Sequence, residues 1–336
     1  MSRSVVAAMT AYTLELREAE IKLNQNESPF DFPRALKERV LARMADRPWN
    51  LYPDFESTAL RTAIAKAFRL APENILVGNG SNELLAAAIG AFVGPGTPVI
   101  FPRPTFALYE KLVTIAGGLP IPIEFDPDSG LLPLEAMRSA IAKHQDCVAV
   151  VCSPNNPTGG VLPEGGVDAL LESGAMVLCD EAYGDFAQTG VSAPQENLVT
   201  FRTFSKAWGL AALRVGWCAS TAENCREIRK VKLPYSLNVI SSAIAEAALE
   251  HPEIRDGNVA RIVAERDRVF AAMQQIPRIT VFPSRANFIA FRTEKPLFDV
   301  LWSKGILIRD FSKFLRVSIG RREQNDAFLN ALKEAV

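Results

Sequence analysis

Four apolar runs, "NILVG", "CVAVVC", "AMVLC" and "LVTF", each give way at the C-terminal end to polar residues, in "NGSNE", "SPNNPTGG", "DEAYGDF" and "RTFSK". "TPVIFPRPTF" is a further strand candidate, and "STALRTAIAKAFRL", "SNELLAAAIGAFV" and "ALYEKLVTIAGG" carry apolar residues at helical spacing. Strands alternating with helices predict a mostly parallel sheet with helices on both faces. Apolar strands without strict alternation suit a sheet buried on both sides. Open α/β sheets place ligands beyond the carboxyl ends of their strands. The polar clusters therefore predict one ligand held by several strand ends.

Beyond residue 240 the pattern changes. "SSAIAEAALEHPEIRDGNVARIVAERDRVFAAMQQI" reads as a long helical region. Short strand candidates follow, "RITVFPSRANFIAFR", "GILIRD" and "FLRVSIG", with arginines at their ends, and then the amphipathic "EQNDAFLNALKEAV". At 336 residues the chain is long for one core, so a large α/β domain with a smaller α+β domain packed on it is expected.

Composition narrows the chemistry. Lys+Arg of 37 against Asp+Glu of 38 leaves a net charge of −1, with no basic run, which argues against nucleic acid as a partner. The five cysteines form no CxxC spacing and lie mostly in apolar runs, as reduced, buried thiols do. His144 and His251 are the two histidines and stand apart, so neither a histidine–cysteine metal site nor a histidine triad is expected. The N-terminus lacks a sustained apolar h-region, and no apolar stretch approaches the roughly 18 residues of a membrane span. A cytoplasmic protein without membrane contact is the expectation.

Several residues could carry chemistry, and each also has a plain structural reading. "VGNGSNELL" is a glycine-rich turn into a helix, where backbone N–H groups attract anions and Ser81 either binds phosphate or caps the helix. In "SPNNPTGG" adjacent asparagines at a strand end either present an amide to a ligand or simply make a loop. Asp180 directly follows an apolar strand, with Tyr183 three positions on. A carboxylate there needs a partner unless it is a helix cap. Glu181 is expected to point away and make structural contacts. Lys206, among Phe204, Ala207 and Trp208, should lose protonation preference by desolvation and become a Schiff-base nucleophile, or else snorkel to the surface. Arg214 suits an anion or a carboxylate equally.

Together and in this order, "NGSNE", "SPNNPTGG", "DEAY" and "SKAWGLAALRVGW", with "LYPD" upstream and "LRVSIG" near the C-terminus, make the chain resemble the fold-type I, pyridoxal-phosphate (PLP)-dependent aminotransferases of the class I/II branch. "IKLNQNESP", "WNLYPD" and the pair "GILIRD"/"FLRVSIG" are most similar to the histidinol-phosphate aminotransferases within it. The resemblance implies a large PLP-binding domain over 45–238 and a small domain from 1–44 and 239–336. It implies ping-pong transfer in which Lys206 is both the Schiff-base lysine and the proton shuttle. Asp180 would face the pyridine nitrogen, and Asn156 and Tyr183 the ring's phenolic oxygen. Ser81 and Asn82, Thr203, Ser205 and Arg214 would cradle the phosphate. Phe106, where relatives often carry tyrosine, would stack on the ring.

Tyr52 would reach the cofactor of a second subunit, implying a homodimer. Arg316 would take the substrate carboxylate and Arg309, only six residues before it, the phosphate of histidinol phosphate. Tyr12 and Tyr235 would line the substrate pocket. The implied partners are glutamate as amino donor and a phosphorylated imidazole, in histidine biosynthesis. Other readings are an aromatic amino-acid aminotransferase, a PLP-dependent decarboxylase of a phosphorylated amino acid, or a non-catalytic sensor. The last would need a DNA-binding domain ahead of the first α/β unit, where only about fifty residues without a basic recognition helix stand.

Overall fold

The computed structural model describes residues 2–11, 17–191 and 193–336. Thirteen strands occur among them. β1 (Ile21–Lys22) lies ahead of seven strands that form the main sheet. These are β2 (Ile75–Asn79), β3 (Pro98–Arg103), β4 (Leu119–Glu124), β5 (Val148–Cys152), β6 (Met176–Asp180), β7 (Leu198–Thr203) and β8 (Val215–Ala219). Their spatial order is β2-β8-β7-β6-β5-β3-β4, parallel except for β8, which runs antiparallel to both neighbours. The expected mostly parallel sheet with flanking helices is therefore present.

Alternate residues of the central strands enter opposite cores. Val148, Val150 and Cys152 of β5 join one hydrophobic cluster, while Ala149 and Val151 join the other. In β6, Leu178 faces the first cluster and Val177 and Cys179 the second. A buried valine or leucine contributes about 1.5–3 kcal/mol, so strands without a polar face are stable only when both faces are covered. β4 has the sequence "LPIPIE", with two prolines that leave donors missing from its backbone. It occupies the sheet edge, where a missing N–H leaves no ladder bond unmade.

The C-terminal part carries β9 (Ile279–Val281), β10 (Phe288–Thr293), β11 (Ile306–Leu307), β12 (Arg309–Asp310) and β13 (Leu315–Ser318). Four of these make an antiparallel sheet in the order β12-β13-β10-β9, and β11 pairs in parallel with β1. The long helical region is two helices, Val239–Leu249 and Pro252–Gln274. The break falls at His251 because Pro252 fits the first turn of a helix and not its interior. All five cysteines are buried and unpaired with one another, as expected.

The carboxyl ends of β2, β5, β6 and β7 and the start of β8 share one edge of the main sheet. Gly78 of β2 and Thr203 of β7 both stand opposite Gly216 of β8. A Cβ on Gly216 would lie 2.1 Å from the Ser81 nitrogen, so the helix Ser81–Phe92 begins directly on that glycine. Glycine at 216 is what lets a helix N-terminus sit against the strand.

Candidate active site

Gly80, with φ of 81°, turns the chain from β2 into the helix, and Ser81 and Asn82 occupy the helix's first two positions. A Cβ on Gly80 would lie 2.5 Å from Nη2 of Arg214, which places that guanidinium against the helix N-terminus. Arg214 also donates to Ser205 Oγ at 3.3 Å, and Thr203 Oγ1 accepts the Ser205 backbone N–H at 3.0 Å. The expected cradle residues are thus gathered in one place. Helix-terminal N–H groups, two hydroxyls and a guanidinium together suit a phosphate dianion.

Lys206 directly follows Ser205 of this cradle. Its stem is partly exposed, while its amine is enclosed by protein and donates to the Gln25 carbonyl at 3.0 Å. Burial, with the nearby positive charge of Arg316, pushes the amine down to about 8 from 10.5. The desolvated reading of this lysine is the one the geometry supports. Between those two values the unfolded chain holds the proton more firmly than the folded one, so stability contributed at Lys206 rises with pH. Urea unfolding of cofactor-free protein should show Lys206→Met more stable than wild type at pH 7, by up to about 3 kcal/mol. The difference should shrink toward pH 10.5.

Asp180 ends β6 and is buried. It accepts from the Tyr109 hydroxyl at 2.7 Å and from the Ala182 N–H at 3.0 Å. Desolvation raises its pKa, and these two donors oppose that shift. Glu181 turns to the other face and forms a buried ion pair with Arg202 at 2.7 Å, consistent with a structural role. Tyr109 was not among the residues singled out in the sequence. Its position three residues after Phe106, at the start of the helix Leu108–Ala116, is the available signal, since that spacing puts both rings on one face. Their rings meet edge-on at 5.6 Å. Tyr109→Phe should raise the Asp180 pKa further, lower kcat about tenfold and move the acid limb of the kcat–pH profile upward.

The two asparagines after β5 divide their work. Asn155 is fully buried, donating to the Pro104 carbonyl and Thr158 Oγ1, both at 2.9 Å, so it pins the loop. Asn156 is partly buried and accepts from Arg316 Nη1 at 2.5 Å. Arg316, on β13, also donates to the Asn24 carbonyl at 2.8 Å, and its guanidinium lies 5.1 Å from the Phe288 ring. Tyr183 packs edge-on against that same ring at 5.1 Å, and the Lys206 amine lies 6.0 Å from the Tyr183 centroid. Lys206, Tyr183, Asn156 and Arg316 are therefore one group.

Arg309 stands directly opposite Arg316 in the β12–β13 ladder, on the same face. Both guanidiniums approach the Phe311 ring, Arg316 at 5.2 Å and Arg309 at 6.0 Å. The short spacing between them is a tight hairpin, with Ser312 left-handed at the turn, and the hairpin puts the two cations side by side.

Two candidates stand elsewhere. Tyr52, 78% exposed, stacks on Tyr235, 42% exposed, at 4.7 Å, and Phe55 meets Tyr235 edge-on at 5.2 Å. These three rings pack on one another, apart from the group formed by Lys206, Tyr183, Asn156 and Arg316. Tyr12 lies outside the described residues. No group of metal-ligating side chains occurs among the described residues.

The arrangement supplies what an aromatic phosphate needs: an anion cradle, a buried carboxylate, an amine of lowered pKa, and the polar side chains of Asn156 and Tyr183. Known proteins bear on this directly. The model of the class I and II aminotransferase family matches residues 18–332. The histidinol-phosphate aminotransferase of Aquifex aeolicus (strain VF5) is 35% identical, over 98% of this chain and 97% of its own length. That of Roseiflexus castenholzii (strain DSM 13941 / HLO8) is 38% identical, over 94% of this chain and 90% of its own length. The crystal structure of histidinol-phosphate aminotransferase from Sinorhizobium meliloti in complex with pyridoxal-5'-phosphate shares the fold. Its TM-score is 0.87 at 24% identity, covering 99% of this chain and 96% of that one. With its family model spanning nearly the whole chain and its strand ends carrying the matching groups, the protein belongs to the class I and II aminotransferases.

Proposed function

We propose that this chain is a PLP-dependent histidinol-phosphate:2-oxoglutarate aminotransferase. It takes an amino group from glutamate and gives it to imidazole-acetol phosphate in two half-reactions at one site. The pair of arginines facing each other across the β12–β13 ladder carries the substrate assignment, in company with near full-length relatives of that name. Glutamate offers two carboxylates and histidinol phosphate one dianionic phosphate, and two adjacent guanidiniums answer both.

PLP, when bound, supplies an aldehyde carbon for imine exchange and a ring that draws electrons from the substrate Cα. The other steps belong to the chain. Arg214, Thr203, Ser205 and the helix N-terminus at Ser81 and Asn82 hold the phosphate. Phe106 would cover the ring, the Asp180 carboxylate would hold a proton on the pyridine nitrogen, and Asn156 and Tyr183 would donate to the ring oxygen. Arg316 fixes the glutamate carboxylate. The Lys206 amine, held at about 8 and so partly free of its proton near neutral pH, would take the proton from the substrate Cα and return it to the cofactor's aldehyde carbon, across the transferred nitrogen.

A homodimer is part of this reading. Trp49, Leu51, Tyr52 and Phe55, close together in the chain, are exposed, and Tyr52 and Phe55 both pack on the exposed Tyr235, the kind of apolar cluster that a partner subunit covers. The division into 45–238 and a second part from 1–44 and 239–336 is supported by the pairing of β1 with β11. No helix is long and apolar enough to cross a membrane among the described residues, and the cysteines are buried thiols, which fits a cytoplasmic enzyme.

Single-turnover spectra with histidinol phosphate, phenylalanine and tyrosine test the substrate. Histidinol phosphate should react fastest. Arg309→Gln should lower its kcat/KM about 10- to 100-fold and leave phenylalanine within about twofold, because phenylalanine has no second anion. Faster conversion of phenylalanine by wild type would refute the assignment to histidinol phosphate.

A further inference from the structure

Three consecutive residues of the N-terminal segment touch three groups of the site. The Asn24 carbonyl accepts from Arg316, the Gln25 carbonyl accepts from Lys206, and the Asn26 side chain donates to the Tyr183 hydroxyl at 3.0 Å. Asn26 is 1% exposed and left-handed, with φ of 55°. Asparagine tolerates that conformation better than most residues, and Asn287 fixes it by donating to the Asn26 carbonyl at 3.1 Å.

Proton accounting then sets the direction of every bond. The Asn26 backbone N–H donates to Ser318 Oγ at 2.8 Å, so that hydroxyl must place its own proton elsewhere. Asn26 Oδ1 lies 3.0 Å from Ser318 Oγ and accepts it. With Oδ1 committed, the amide nitrogen is the end that faces Tyr183, and it can only donate. The Tyr183 oxygen is an acceptor on that side, and its proton is left to point into the site. Resting on the reading that Tyr183 serves the cofactor's ring oxygen, we propose that Asn26 and Ser318 are positioning residues that aim the Tyr183 proton at that oxygen.

The other groups facing Tyr183 do not supply this direction. Burial disfavours its anion most, Arg316 and the Asn26 amide favour it, Cys152 and Asp180 disfavour it further, and Lys206 lies over its ring face. None of them fixes which way the hydroxyl points, whereas Asn26 is hydrogen-bonded to that oxygen.

The test is a pH titration of the visible cofactor band in PLP-loaded protein, paired with the tyrosine 13Cζ resonance of Tyr183 in cofactor-free protein. A donor to the ring oxygen stabilises its anion and lowers the pH midpoint of the band, so losing the donor raises it. Asn26→Asp, which presents an acceptor in the same place, should raise the midpoint by about one pH unit, as Tyr183→Phe does. Combining the two should add nothing further. Asn26→Ala, which brings in no charge, should shift it the same way, and Ser318→Ala part of the way. In cofactor-free protein Asn26→Asp and Ser318→Ala should both move the Tyr183 resonance, although Ser318 does not touch that ring.

Midpoint and resonance at wild-type values in Asn26→Asp, with only a lowered Tm, would overturn the proposal and leave Asn26 as a backbone prop. Should Asn26→Asp fail to fold, an unchanged midpoint and resonance in Ser318→Ala would overturn it equally. A wild-type protein that develops no band with PLP refutes the cofactor reading instead, and the Tyr183 resonance still decides the relay.

Discussion

Lys206→Ala should lose the visible cofactor band and at least about 10⁴-fold in kcat, because in the proposed function one amine performs both imine exchange and proton transfer. Affinity for PLP should fall far less. The phosphate cradle of Ser81, Thr203, Ser205 and Arg214 does not include the lysine, and its arginine contact to Ser205 is independent of it. Lys206→Arg separates charge from chemistry, since it keeps a cation but cannot shuttle a proton near neutral pH. Both variants should be equally inactive. Turnover within tenfold of wild type in either would remove Lys206 from the reaction. The pH dependence should agree: an amine held at about 8 is partly neutral at physiological pH, where an ordinary lysine is almost wholly charged.

Asp180→Asn should cost about 10³-fold in kcat while making the cofactor-free protein more stable. The two effects have one cause. Burial raises the Asp180 pKa from 3.8, so the ionised form is disfavoured in the folded chain, and its contribution to stability declines as pH rises above 3.8. An amide has no such charge, and its oxygen can still accept the Tyr109 hydroxyl, although its NH2 then faces the Ala182 N–H and offsets part of the gain. It cannot, however, hold a proton on a pyridine nitrogen. Thermal melts without PLP and kcat with it should therefore move in opposite directions. A variant that melts lower and keeps its rate would place the carboxylate in the scaffold and not in the chemistry.

Strand positions and their polar ends were legible because both are local properties. A buried strand has to be apolar along its length, and the residues after it have to leave the sheet, so Asp180, Asn156 and Lys206 announce themselves by following such runs. β4 was hidden by its two prolines, which its edge position accommodates. β8 was hidden because its residues also read as the tail of the lysine motif. The partners of the site residues were not legible for a different reason. Tyr109 reaches Asp180 across 71 residues and Asn26 reaches Tyr183 across 157, and no periodicity encodes such a meeting. The facing of Arg309 and Arg316 depends on hairpin register, which the motif spacing raised as a question and the ladder answers.

Asp180 and Glu181 are neighbours that serve opposite faces of β6, and this gives assembly a particular hazard. A one-residue slip of β6 past β7 that brought Glu181 to the reacting face would put Asp180 in the place of Cys179, two positions from where Glu181 meets Arg202. The reacting face would still receive a carboxylate, so the sign of the charge there does not distinguish the correct register from the wrong one. Arg202 does, because it would lose its buried partner, and so does reach, because the shorter side chain meets the Tyr109 phenol at 2.7 Å. Exchanging the two residues would separate reach from charge with composition and net charge held constant.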